Sequence, residues 1–222
     1  MDKLFTRAEV CPICGQKTDE PYYKASSFRI LKTDYDLYKE YKDVNPLCYE
    51  ARFCNYCGYA NTIQLFNHPT ENKVNYMEGL QKLDWHPWTM PEEFSPEFAI
   101  KVHKLILLNK MNINSKKYGE IGIVSLRLYW LYKLVGNKEE MTRYRKQCIH
   151  YLELSYSNED FPVGNSIDMA TACYLIGVFY YDEGNIEKCK RWLSNVLECK
   201  PLKPYMRERL IDFKEKYINH AY

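Results

Sequence analysis

A chain of 222 residues, 46% hydrophobic and 27% charged, is long enough for one large domain or two small ones and has the composition of an ordinary globular protein. A formal net charge of +2 excludes a global electrostatic pull toward nucleic acid or anionic membrane. No apolar run approaches the roughly 18–20 residues that cross a bilayer, and the opening MDKLFTRAEV lacks the apolar stretch of a signal peptide, so a soluble, cytoplasmic protein is expected.

The first motif in chain order is CPICG, Cys11 to Gly15, and its counterpart is CNYCG, Cys54 to Gly58. Two residues between cysteines let one tight turn aim both sulfurs at a single cation. The glycine that follows suits a backbone position needing φ > 0, where a Cβ would clash. Two such knuckles make a four-sulfur tetrahedron, the closed geometry of structural zinc. Nine cysteines in a reducing compartment point the same way, because paired thiols there more often hold metal than form disulfides. Cys11, Cys14, Cys54 and Cys57 are therefore the predicted ligands of one zinc ion. Iron is the alternative, since rubredoxin-type sites use the same four thiolates. A redox dithiol would sit at a helix start beside a βαβ pattern, and no such pattern is present here.

Residues 1–66 thus read as a small zinc-ribbon-like or rubredoxin-like β module. The 39 residues between the two pairs exceed the roughly 15–20 of a compact ribbon, so an extra hairpin or loop is expected between them. SSFRIL and CYEARFC read as short strands. DYDLYKEYKDVNP reads as a polar segment whose Asp34 and Asp36 lie in solvent-facing loops and turns. Cys48 reads as a plain strand residue, and His68 as a non-ligand, because four thiolates complete the shell. Large apolar side chains are few here, chiefly Phe28, Ile30, Leu31, Leu37, Leu47 and Phe53. A core that thin needs a staple, and structural zinc coupled to folding supplies on the order of 10–16 kcal/mol.

Residues 67–94 form a connecting segment with net charge −3, between a first part of net charge 0 and a last part, 95–222, of net charge +5. VNYMEGLQKL suggests a short helix. Trp85 and Trp88 are expected to wedge the cysteine module against the helices downstream, because so aromatic a linker would not stay soluble if free.

From Ser95 the apolar period becomes helical. Ser95-Pro96-Glu97 gives an N-cap, a first-turn proline and an acid at the positive helix end. Apolar stripes then mark six helices: Phe98 to Ile106, Ile121 to Val135, Met141 to Leu152, Met169 to Tyr180 behind a Ser166 cap, Ile186 to Val196, and Met206 to Tyr217 opened by Pro204. LRLYWLYKLVGNKEEM and CYLIGVFYYDEGNIEKC repeat one design: a tyrosine, a Gly-Asn turn four residues later, and a resumed helix. The second copy follows the 34-residue tetratricopeptide pattern through Gly177, Tyr180, Gly184, Cys189 and Pro201. Gly136 and Gly184 are 48 residues apart, so an insertion is expected around NEDFPVGN. The fold class is thus α+β and mostly α, a four-cysteine β module followed by tetratricopeptide-like helical hairpins. Stacked helix pairs leave a groove that takes protein segments.

CPICG, DYDLYKEYKDVNPLCY, CNYCGYA, LRLYWLYKLVGN and GNIEKCKRWLSNVL, in this order, resemble the bacterial family catalogued as domain of unknown function 2225. The resemblance covers most of the chain, and CNYCGYA and NPLCY are its most specific parts. It implies a bacterial cytoplasmic protein with a cysteine-paired, zinc-ribbon-like head before tetratricopeptide-like helices, and it carries no activity with it. Cys48 departs from the family pattern, where tyrosine or a similar residue is more typical.

These features favour a non-enzymatic interaction scaffold or adaptor whose helical groove takes an unidentified protein or peptide. No HExxH, GxSxG or phosphate-cradling glycine loop is present, and the five histidines, His68, His86, His103, His150 and His220, are scattered. Two alternatives use the same four cysteines: a nucleic-acid-binding ribbon regulator, disfavoured by a head of net charge 0, and an iron or thiol redox protein.

Overall fold

The computed structural model describes residues 3–218; His220 lies outside them. The first strands come as three antiparallel hairpins. β1 (Leu4–Val10) pairs with β2 (Lys17–Tyr23), β3 (Phe28–Thr33) with β4 (Lys39–Asp43), and β5 (Ala51–Phe53) with β6 (Ala60–Thr62). The pairings Val10↔Lys17 and Phe53↔Ala60 leave the two CxxCG segments as the turns of the first and third hairpins. The middle hairpin is the extra element required by the long spacing between the pairs. SSFRIL supplies β3 and CYEARFC supplies β5, while Cys48 lies in a one-turn 3-10 helix, Pro46–Tyr49, rather than in a strand.

Among the described residues seven α-helices come after the hairpins: α1 (Lys73–Leu80), α2 (Pro96–Asn112), α3 (Tyr118–Leu134), α4 (Lys138–Asn158), α5 (Met169–Asp182), α6 (Ile186–Glu198) and α7 (Pro204–Phe213), the last running into a π turn, Lys214–Ile218. The protein is α+β and mostly helical. The predicted cap on α2 is present, with Ser95 Oγ accepting from the Phe98 amide at 3.2 Å. The cap on α5 is Asp168, not Ser166; its Oδ1 accepts from the Thr171 amide at 2.9 Å. A carboxylate is the stronger acceptor for the orphan amides of a helix start.

α3 and α4 form one helical hairpin, α5 and α6 another. Their turns share one hydrogen-bond pattern. The Asn137 amide donates to Tyr132 O at 3.0 Å and the Asn185 amide to Tyr180 O at 2.9 Å. Each asparagine then caps the next helix, accepting from the Glu140 and Lys188 amides, both at 3.1 Å. The insertion is not confined to NEDFPVGN. Part of it lengthens α4 to 21 residues against 13 in α6. The remainder turns back over α3, where the Gly119 amide donates to Glu159 Oε2 at 2.6 Å.

One apolar cluster takes in both halves of the chain. Tyr38, Leu47, Tyr49 and Phe53 from the hairpins pack with residues of α2 to α7. The thin core of residues 1–66 is therefore completed by helices. Trp88 lies between Phe53 of β5 and Phe98 of α2, with ring centres 5.0 and 6.0 Å away, which is the expected wedge. A smaller cluster, Cys11, Ile13, Cys54, Tyr59, Phe66 and Tyr76, sits beneath the cysteine turns.

Asp36 is not in solvent. It is fully buried at the tip of the β3–β4 hairpin, and Lys39–Asp43 of the same polar segment is β4. A charged residue is buried only when partners satisfy it, and those partners, Tyr129 and Lys133, come from α3.

Candidate metal centre

The two turns are copies of one backbone design. In the first, the Cys11 amide donates to Gln16 O and the Gly15 amide to Cys11 O, both at 2.9 Å. In the second, the Cys54 amide donates to Tyr59 O at 2.6 Å and the Gly58 amide to Cys54 O at 2.9 Å. The glycines lie at φ +76° and +75°, the left-handed region in which a Cβ is penalised. Gly58 has a second reason to be glycine: a Cβ there would come within 2.7 Å of the Trp85 ring.

The turns face each other. Cys11 Sγ lies 3.8 Å from Cys57 Sγ, and Cys14 Sγ lies 3.6 Å from Cys54 Sγ; all four sulfurs fall within 4.8 Å of one another. A tetrahedron with metal–sulfur bonds of about 2.3 Å has edges of about 3.8 Å. The sulfur spacing fits that figure, and all four cysteines predicted as ligands are brought together. Cys11 and Cys54 are buried, Cys57 is half-buried and Cys14 is exposed, so the site opens toward the surface on one side.

Crowded thiols do not ionise together without a cation. Hydrogen bonds from Cys11 and Cys57 hold Cys54 down to about 2, helped by the amides of Cys57 and Tyr56. Hydrogen bonding to Cys54 pushes Cys11 up to about 12, and contacts with Cys11 and Cys54 push Cys57 up as well. The Cys54 thiolate is easy to form and those of Cys11 and Cys57 are costly, which is a donor set that a divalent cation neutralises.

The supports of the second turn come from distant segments. Asn109 of α2 accepts from the Ala60 amide at 2.8 Å and donates to Gly58 O at 3.2 Å. Asn55 grips the Trp88 backbone in both directions at 2.7 Å, and Trp85 Nε1 donates to Asn55 O at 3.1 Å. These outer contacts, which orient the ligand-bearing backbone, carry no signal in the sequence beyond the unusual WHPW string. Cys48, Cys148, Cys173 and Cys189 are buried in the main cluster, away from the site. His68, His86 and His150 are exposed, and His103 is buried in α2. Among the described residues no other group of His, Cys, Asp or Glu side chains converges as these sulfurs do.

Two CxxCG hairpins closing on each other beside helical hairpins define the class: a mostly helical α+β protein with a four-cysteine cluster of metal-site geometry. The chain belongs to the family described as "uncharacterized protein conserved in bacteria", domain of unknown function 2225, whose model matches residues 4–218. No curated protein and no solved structure gives a significant match. No helix among the described residues is long and apolar enough to cross a membrane.

Proposed function

We propose that this is a metal-stapled helical-repeat protein that serves as an interaction scaffold or adaptor in the bacterial cytoplasm, without chemistry of its own. The carrying observation is the facing pair of cysteine turns. Four thiolates saturate a tetrahedral cation and leave no position for substrate, which is the mark of a structural rather than a catalytic site. Zinc is the proposed ion, with Cys11, Cys14, Cys54 and Cys57 as ligands. Nine free thiols suit a reducing compartment. We read residues 1–66 as the zinc-ribbon-like head, 67–94 as the joint and 95–222 as the tetratricopeptide-like body. The matching Gly-Asn turns support the last reading, as do the equivalent close approaches of Gly122 to Leu152 and Gly177 to Leu193. Stacked helix pairs with such contacts present extended surfaces to partner proteins.

The test has two parts. Elemental analysis of protein purified from its bacterium should return one zinc per chain and a colourless sample; a red, iron-loaded protein would replace the structural reading with electron transfer. Cross-linking in intact cells, read by mass spectrometry, should place partner cross-links on the helical pairs. Cross-links confined to nucleic acid, or to residues 1–66, would defeat the scaffold reading.

A further inference from the structure

The helical pairs already hold a hairpin turn, and that turn belongs to this chain. The tip of the β3–β4 hairpin, Asp34 to Leu37, lies across α3, α5 and α7. Asp36 accepts from Tyr129 OH at 2.8 Å and from Lys133 Nζ at 2.7 Å, and Trp130 Nε1 donates to Asp36 O at 3.2 Å. Lys133 also donates to Asp34 Oδ2 at 2.8 Å. Tyr35 OH donates to Asp182 of α5 at 2.6 Å, and Arg209 of α7 donates to Asp34 O at 3.3 Å. The Tyr35 ring packs on Phe213 and Tyr217, with centres 5.6 and 5.2 Å away.

Two further observations describe the tip. Leu37 sits at φ +63°, a conformation unfavourable for a branched side chain. The turn's own bonds hold it there, the Leu37 amide donating to Asp34 O at 3.1 Å and the Asp34 amide to Tyr38 O at 2.8 Å. Beside the tip a cleft of about 600 Å³ stays open, walled by Tyr35, Tyr174, Arg209, Phe213 and Tyr217, so the tip covers the face without filling it.

We propose that the face built by α3, α5 and α7 is a receptor for an acidic, tyrosine-bearing segment, and that the chain's own Asp34-Tyr35-Asp36 tip is its resident ligand, displaced by a partner of the same chemistry. This deepens the scaffold reading and rests on it. The recognition elements are a lysine that joins two carboxylates, a tyrosine hydroxyl on the inner one, and an aromatic shelf with an aspartate that takes the ligand tyrosine. Because the tip is tethered, its effective concentration at the face is on the order of millimolar. A free copy of the tip should therefore be shut out of the intact protein.

The experiment is fluorescence anisotropy with a labelled nine-residue peptide, the 32–40 sequence KTDYDLYKE. It is titrated with the full-length protein and with two full-length variants, Asp36→Asn and Tyr35→Ser, each checked for helical content and elution volume. Both variants should bind the peptide at least tenfold more tightly than the unmodified protein, and a peptide with both aspartates replaced by asparagine should lose that binding. Folded variants that bind no better, or a doubly amidated peptide that binds as well, would overturn the proposal. So would failure of both variants to fold, because the tip would then be core rather than ligand. If the peptide fails while cellular cross-links still map to the helices, only this inference falls. If the peptide binds while cross-links avoid the helices, it is the scaffold reading that falls.

Discussion

At the scale of single residues, Gly58 and His103 show how one side chain can answer to two demands. Gly58 carries both a left-handed backbone and the Trp85 ring, whereas Gly15 carries the backbone alone, with nothing within 4 Å of the place a Cβ would take. Gly15→Ala should therefore lower stability by about 1 kcal/mol, and Gly58→Ala by about 1–3 kcal/mol more, from overpacking against the indole. Urea midpoints of the two variants check the order; equal losses would mean that Trp85 yields freely. His103 donates its Nδ1–H to Ala99 O at 2.8 Å and leaves Nε2 bare in an apolar surround. Burial holds this imidazole down to about 4 from its ordinary 6.5. Between those values the unfolded chain binds a proton that the folded chain refuses, so stability falls as pH drops through that window and is fully kept above it. The full loss is about 3 kcal/mol. His103→Leu should remove this slope, which urea titrations at pH 7 and pH 4.5 would reveal; parallel losses in both proteins would place the acid sensitivity elsewhere. The four clustered cysteines were legible as a spacing. The two roles of Gly58 and the burial of His103 were not, since both depend on segments 27 or more residues away or on a neighbouring helix.

At the scale of elements, helix starts, Gly-Asn turns and the cysteine hairpins obey local rules and were readable from the chain. The contacts that join elements were not. Lys110 of α2 and Glu120 of α3 form an ion pair with side chains 1% and 5% exposed, and Thr70 Oγ1 donates to Glu120 at 2.6 Å. Nothing in NKMNINSKKYGEIG marks these two charges as different from their solvated neighbours. Lys110→Met leaves a buried carboxylate unpaired and should cost about 3–5 kcal/mol, while the double change with Glu120→Gln should recover most of that loss. A double-mutant cycle by chemical denaturation measures the coupling; additive effects would show that the pair contributes nothing as a pair. The β3–β4 tip obeys the same rule. Asp34 and Asp36 have the composition of a surface turn, and only α3 makes one of them a buried charge.

At the scale of the whole molecule, the proposed cation and the shared core would divide the work of holding residues 1–66 in place. The first hairpin, β1–β2, carries one of the two cysteine turns and meets the small cluster through Cys11 and Ile13, with only Leu4 and Tyr23 at its open end packed against the main one. The stretch from Tyr38 to Phe53 rests instead on the helices. Cys57→Ser, or removal of the metal by a strong chelator, should therefore open residues 4–23 to protease first. The stretch from Tyr38 to Phe53 should stay protected and most helical circular dichroism should remain. Limited proteolysis read by mass spectrometry distinguishes this from collective unfolding, in which all sites of residues 1–66 would be cut at one rate.

By itself, the sequence determined the four-cysteine cluster, the helical hairpins and the family. These are set by local spacing: two residues between sulfurs, a glycine after them, an apolar stripe every three to four residues. Only the tertiary structure decided where the β3–β4 tip goes, what completes the thin core, and which charges are buried. Those outcomes are fixed by contacts across as many as 175 residues, as from Asp34 to Arg209. A side chain's solvation is a property of its neighbours in space, which a linear spacing cannot encode.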